Sequence, residues 1–344
     1  MMKVKRRKAA LWVSVVCVFG LVCGLAACAP NADKAGRADQ KATDKPIAQK
    51  VETTPATDYY GVVDADTWKD YYPNQYATYE ENNENGTEGK HDYLKLYPAL
   101  NTMYKGYAFA LGYDEAHGHT YSLETVKNTP RTVKKDQLAN CITCKTPQFT
   151  AMVNSEGDEV YAKTFKELIN DFTEPISCYN CHENDPTQLK VTNKFYLASL
   201  GEDVENYAKA PLESQVCGQC HNEYYFDSKT KVPANPYSGT DAMTPDAILA
   251  YYDNLNFSDW NHADTMAPMI KVQHPEFETI YGGDSMRMAK IGYTCSDCHM
   301  GTQKASDGTT YSSHNWISPL ENDELINNDC ARCHADLKSE VAGI

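Results

Sequence analysis

The chain has 344 residues, of which 32 are basic, 47 acidic, 13 cysteine and 10 histidine. Its net charge of −15 deepens to −20 once the five basic residues among the first 27 are set aside, leaving 27 basic against 47 acidic side chains. Such a surface argues against nucleic acid or an anionic lipid face as partner, and an anionic substrate would need a local basic funnel.

At the N-terminus, Lys3, Lys5, Arg6, Arg7 and Lys8 precede an apolar run from Ala9 to Ala27, the pattern of a secretory signal. The run ends in Leu25-Ala26-Ala27-Cys28, which resembles a lipobox. Residues 1–27 are therefore read as a lipoprotein signal peptide, and Cys28 as the lipid-bearing start of the mature chain. An uncleaved anchor helix is the alternative, since the run is nearly long enough to span a bilayer. Residues 28–57 read as a disordered tether and residues 58–344 as one folded domain. Both readings place that domain outside the cytoplasm and beside a membrane.

Two later segments read as helices: Tyr161 to Phe172, and Thr244 to Leu255 with Thr244 as N-cap and Pro245 at the first helical position. The intervening stretches are turn-rich and aromatic, without sustained alternation, so little sheet is expected.

Cys17, Cys23 and Cys28 belong to the signal region. The other ten cysteines form five Cys-x-x-Cys pairs: Cys141/Cys144, Cys178/Cys181, Cys217/Cys220, Cys295/Cys298 and Cys330/Cys333. Four pairs run directly into His182, His221, His299 and His334. This is the c-type haem attachment pattern, in which two thiols add across the haem vinyl groups and the next imidazole sits under the iron. Zinc would need four ligands gathered in pairs and would not explain a histidine after four pairs of five. The first pair is followed by Lys145. That site is either degenerate or a haem with an amine as proximal ligand, which binds iron only when neutral. Four intact neighbours favour the second reading.

Five covalent haems would add ten propionates to an already acidic chain. Six histidines remain: His91, His117, His119, His262, His274 and His314. An electron-carrying haem has both axial positions filled, whereas a catalytic one leaves a position open. Some of the six are thus expected as distal ligands, with the Lys145 haem as the open one. A domain of this size serving five haems is expected to be mainly α, a multihaem cytochrome c fold with little β whose haems form much of the core.

One Cys-x-x-Cys-Lys followed by four Cys-x-x-Cys-His resembles the pentahaem, ammonia-forming cytochrome c nitrite reductases. Thr129-Pro130-Arg131-Thr132, the run from Cys217 through Asn222-Glu223-Tyr224-Tyr225-Phe226, Lys271-Val272-Gln273-His274, and Cys298-His299-Met300 carry the likeness in family order. The resemblance implies Lys145 as proximal ligand of the active haem and Arg131, Tyr224 and His274 as the distal catalytic trio. Arginine would hold the anion, while tyrosine and histidine would hydrogen-bond its oxygens and pass protons. It also implies a calcium site from Glu223, Gln273 and the carbonyls of Tyr224 and Lys271, an all-oxygen set that suits the ion. His119 matches the distal ligand of the third haem and His314 that of the second. His91, His117 and His262 take no family role and are read as surface or hydrogen-bonded residues.

Two features depart from the family. The fifth haem's distal histidine is replaced by Met288, seven residues before Cys295. A thioether there would raise that haem's potential. Packing without ligation, or ligation by Met286, are the alternatives. The sequence also ends ten residues after His334. The family's C-terminal helical segment, with the fourth haem's distal histidine and much of the homodimer interface, does not follow here, so the sequence is read either as a fragment or as a short variant completed by another polypeptide.

The activity implied is reduction of nitrite to ammonium with electrons from a membrane quinol-oxidising cytochrome. The rival readings are a non-catalytic multihaem electron-transfer cytochrome and a multihaem enzyme acting on hydroxylamine, sulfite or tetrathionate.

Overall fold

Helices here are short because the chain keeps meeting capping and turn residues before an apolar period can run on. The computed structural model describes residues 51–85, 92–110, 118–200, 204, 210–283 and 286–343. The signal segment, Cys28, most of the tether, His91 and His117 lie outside the described residues. The architecture is mainly helical, as expected. Its sheet, among the described residues, consists of three antiparallel hairpins: Tyr225–Phe226 with Pro233–Ala234, Trp260–Asn261 with Pro268–Met269, and Thr302–Lys304 with Thr310–Ser312. No helix among them is long and apolar enough to cross a membrane.

Helix Pro147–Glu156 shows the local logic. Thr146 accepts from Gln148 N at 3.2 Å as N-cap, Pro147 takes the first position, and Gly157 ends the helix with φ +107°. Helix Pro245–Leu255 forms as the sequence indicates, with the Thr244 hydroxyl accepting from Ala247 N at 3.2 Å. The expected helix from Tyr161 to Phe172 is instead broken into Asp158–Ala162, Phe165–Leu168 and Ile169–Asp171, of which only the second is α-helical. Lys163 and Thr164 turn extended because Lys163 O accepts from Ala139 N at 2.8 Å and Thr164 bridges Leu138. Thr164 then opens a new turn through a capping box with Glu167. Pairing with the strand-like residues ahead of Cys141 thus outweighs the helical period.

The apolar residues gather into separate clusters around the cysteine pairs. One, including Ile142, Phe149, Tyr161 and Phe172, packs on Cys141. Another, including Phe195, Tyr196, Tyr237 and Phe277, packs on Cys181, Cys217, Cys295 and Tyr224.

Candidate functional site

Each cysteine pair occupies about one helical turn, which carries positions i, i+3 and i+4 to one face. That is why both thiols and the following side chain can meet one planar ligand. The turn Cys178–His182 is held by a capping box between Ser177 and Asn180, and Cys295–His299 by one between Thr294 and Asp297. All ten thiols are free of disulfides. The motifs also adjoin one another: the Cys144 thiol lies against Cys220, and Cys217 against Cys295. Gln219 ties the second motif to the third, accepting from Thr192 N and Asn193 N and donating to Asn180 O at 2.7 Å.

The imidazoles are set up as metal ligands. Nδ1 of His182 donates to Gln188 O at 2.7 Å, that of His299 to Ile317 O at 3.2 Å, and that of His314 to Ser312 O at 3.0 Å. His334 Nδ1 meets the Glu340 carboxylate at 2.7 Å. A carbonyl oxygen only accepts, so in the first three rings the proton sits on Nδ1 and the lone pair on Nε2. Two imidazoles bound to opposite faces of one iron, at roughly 2 Å per metal–nitrogen bond, have ring centres about 6 Å apart. The His119 and His221 rings are 6.3 Å apart, and His119 Nδ1 is buried without a partner among the described residues. Burial and then the charge of His221 depress the His119 pKa to about 3, keeping the ring neutral. His314 is likewise held neutral, at about 4, by burial and by His182. These donor sets fit haem iron. His262 is structural, its Nε2 donating to Thr102 O at 2.8 Å. Met288 sits half-buried on the short helix Arg287–Lys290, and its carbonyl accepts from Tyr293 N. Tyr293 in turn faces Cys333 and Arg332 of the fifth motif.

At the first motif, Lys145 O accepts from Ser122 Oγ at 2.7 Å, and the same hydroxyl accepts from Ile176 N ahead of the second motif. Arg131 and Tyr224 lie within electrostatic reach of this pair: Arg131 acts on Cys141, and Cys144 and Cys141 act on Tyr224. Burial, then the neighbouring thiols, push the Tyr224 phenol well above its usual pKa, so it stays protonated at neutral pH. His274 lies at an exposed edge, its ring 6.0 Å from His221 and its Nδ1 3.8 Å from Glu276. Glu276 reaches His221 at the same distance. Burial opposes ionisation of Glu276, but the two imidazoles together outweigh it and hold its pKa below the ordinary carboxylate range. Glu276 stands two residues past His274 and carries no sequence signal of its own as a site residue.

Glu223 is fully buried. Its carboxylate accepts from Tyr252 OH at 2.8 Å and from Gln273 N, so the two side-chain residues of the expected calcium site are neighbours. The Lys271 ammonium donates to Gln273 Oε1 at 3.2 Å and to Val272 O at 3.3 Å, with Glu223 and Asp259 as its acidic neighbours. A cation thus already rests on this oxygen-rich set, which fits a hard metal ion. Asp259, Tyr252 and Glu278 complete the group and carried no sequence signal of their own.

Residues 64–343 match the family model for cytochrome c552. The chain belongs to that family. Cytochrome c552 proteins carry covalent c-type haem, which the cysteine pairs and neutral imidazoles suit. The chain is 34% identical over 320 residues to cytochrome c nitrite reductase subunit NrfA of Nitratidesulfovibrio vulgaris, covering 80% of this chain and 60% of that protein. It is 32% identical to cytochrome c-552 of Parabacteroides distasonis, covering 79% and 56%. Among solved structures, the cytochrome c nitrite reductase catalytic subunit of Desulfovibrio desulfuricans, described with two calcium sites, superposes with a TM-score of 0.70 at 28% identity, over 83% of this chain and 68% of that one. The chain thus spans roughly three-fifths of the length of the two curated relatives.

Proposed function

We propose that this cytochrome c552 reduces nitrite to ammonium at a haem bound by Cys141 and Cys144 with Lys145 as proximal ligand. What supports the reading is that Arg131 and Tyr224 both lie within electrostatic reach of the one cysteine pair that lacks a histidine. His182, His221, His299 and His334 would bind the four transfer haems, with His119, His314 and Met288 as distal ligands. Glu223 and Gln273, with the carbonyls of Tyr224 and Lys271, would hold calcium, as in the Desulfovibrio protein described with such sites. Lipid on Cys28 would keep the domain at a membrane, beside a quinol-oxidising cytochrome as donor.

The haem would supply an open iron site, and six electrons would reach it from the donor through the transfer haems, with eight protons needed to form ammonium and two waters. Arg131 would hold the anion by its fixed charge, supplying the local basic feature that the acidic surface lacks. Tyr224, kept protonated, can donate a hydrogen bond to an oxygen of the anion. His274 reaches solvent and is backed by Glu276, and in the role that the family resemblance gives it would pass protons toward the bound anion.

The test is nitrite with a reduced viologen dye. Stoichiometric ammonium is expected. Tyr224→Phe and His274→Ala should cut turnover at least about 100-fold while haem content stays at five. A wild-type protein that accepts electrons but leaves nitrite untouched would instead be an electron-transfer cytochrome.

A further inference from the structure

The fifth cysteine pair runs through His334 into helix Leu337–Ala342, which folds back on the motif it follows. Asp336 caps this helix, its carboxylate accepting from Ser339 N at 3.1 Å and from Ser339 Oγ at 2.7 Å. Helical side chains lean toward the N-terminus, so Glu340, one turn past the cap, is aimed back along the chain. Its carboxylate accepts from His334 Nδ1 at 2.7 Å, from Ala335 N at 3.2 Å and from Asp336 N at 3.4 Å. The surface pair of Lys338 and Asp323, 2.7 Å apart, joins the helix to Asp323–Asn328 ahead of the motif. Backbone donors thus set the carboxylate in place independently of the imidazole it meets.

The other motif histidines are partnered differently. Nδ1 of His182 and of His299 faces a backbone carbonyl, and Nδ1 of His221 stands 3.8 Å from Glu276, beyond hydrogen-bonding distance. Among the described residues, His334 is the motif histidine with a carboxylate on its Nδ1 proton. An ionised carboxylate only accepts, so Nδ1 carries the proton and Nε2 keeps the lone pair. A carbonyl presents part of a negative charge to that proton. A carboxylate presents a whole one and makes Nε2 the stronger electron donor, which favours ferric over ferrous iron.

We propose that Glu340 is a positioning residue for His334, which fixes the ligating tautomer of that imidazole and lowers the reduction potential of the haem on Cys330 and Cys333. This rests on reading that cysteine pair as the site of one of the transfer haems. Glu340 would act against Met288, the proposed distal ligand of the same haem. A thioether raises the potential and a carboxylate behind the proximal imidazole lowers it. The balance would keep this haem able to pass an electron on instead of trapping it.

The test is a potentiometric titration of the full haem-loaded protein, followed by visible absorption and low-temperature electron paramagnetic resonance. Glu340→Gln keeps an acceptor but removes the charge, and Glu340→Ala removes both. The signal altered by His334→Met identifies the haem concerned. At a fixed potential its ratio of reduced to oxidised iron is expected to rise about tenfold in Glu340→Gln, which is about 59 mV for one electron, and further in Glu340→Ala. The other haems should stay within about twofold, with haem content unchanged. An unmoved midpoint overturns the proposal. So does an equal shift in the two variants that is shared by several haems, since bare charge would then account for it. Loss of this haem from both variants also overturns it, because Glu340 would then serve attachment. Wild-type peptide mass judges the underlying reading separately. No haem on Cys330 and Cys333 sinks both, whereas haem present with unmoved midpoints sinks the Glu340 proposal by itself.

Discussion

Without the proposed calcium, the stability of this protein should fall as pH rises. Glu223 has 1% of its surface exposed, and burial lifts its carboxyl from the usual 4.5 to about 7. In the unfolded chain the same group ionises near its usual value. Between those pH values the folded state holds a proton that the unfolded state has lost, so each pH unit costs about 1.4 kcal/mol. The gap of about 2.5 units amounts to on the order of 3 kcal/mol from Glu223 alone by pH 8. Glu278, also raised to about 7 by burial, acts in the same direction. A bound divalent cation takes the ionised carboxylate and removes the penalty. The haem-loaded protein treated with chelator should therefore lose roughly 5–10 °C of thermal midpoint between pH 5 and pH 8, followed by far-ultraviolet circular dichroism. Excess calcium should restore the midpoint at pH 8 and change little at pH 5. Glu223→Gln should remove its share of the slope. An identical pH profile with and without calcium, or an unaltered slope in Glu223→Gln, would refute the reasoning.

Gln219→Leu should destabilise the protein by on the order of 3 kcal/mol, because Thr192 N and Asn193 N lose their buried acceptor and Asn180 O keeps only Thr192 Oγ1 as donor; a denaturant midpoint equal to wild type would show that the tie between the second and third motifs is dispensable. Met288→Ala should abolish a sulfur-to-iron charge-transfer band and lower the potential of one haem, whereas an unchanged spectrum would leave Met288 a packing residue. Lys145→Ala should keep the proposed five haems by intact mass, since the thioethers would remain, while the proposed ammonium formation disappears; four haems would instead assign Lys145 a role in attachment.

The haem-binding pattern was legible in the sequence because it is local. Two thiols and a following ligand fit within one helical turn, so spacing alone carries the information. The same holds for the helix Pro245–Leu255, whose cap and first-turn proline are adjacent in the chain. Where a distant segment competes, sequence reading fails. The expected helix at Tyr161–Phe172 broke because Leu138 and Ala139 pair with Thr164 and Lys163, which no local period can register.

The site divides along the same line. The family resemblance, carried by the motifs around them, singled out Arg131, Tyr224, His274, Glu223 and Gln273. Only the tertiary structure opposed His119 to His221 at 6.3 Å, seated the Lys271 ammonium on Gln273, and set Glu276 between His221 and His274. It alone laid Tyr107 flat on Trp260, since a lone tyrosine has no spacing to betray it and its position depends on a glycine closing against a hairpin far along the chain. Attachment chemistry follows from a few consecutive residues. The surroundings of the reacting centre follow from contacts between segments, whose geometry the sequence encodes only through the packing of the whole.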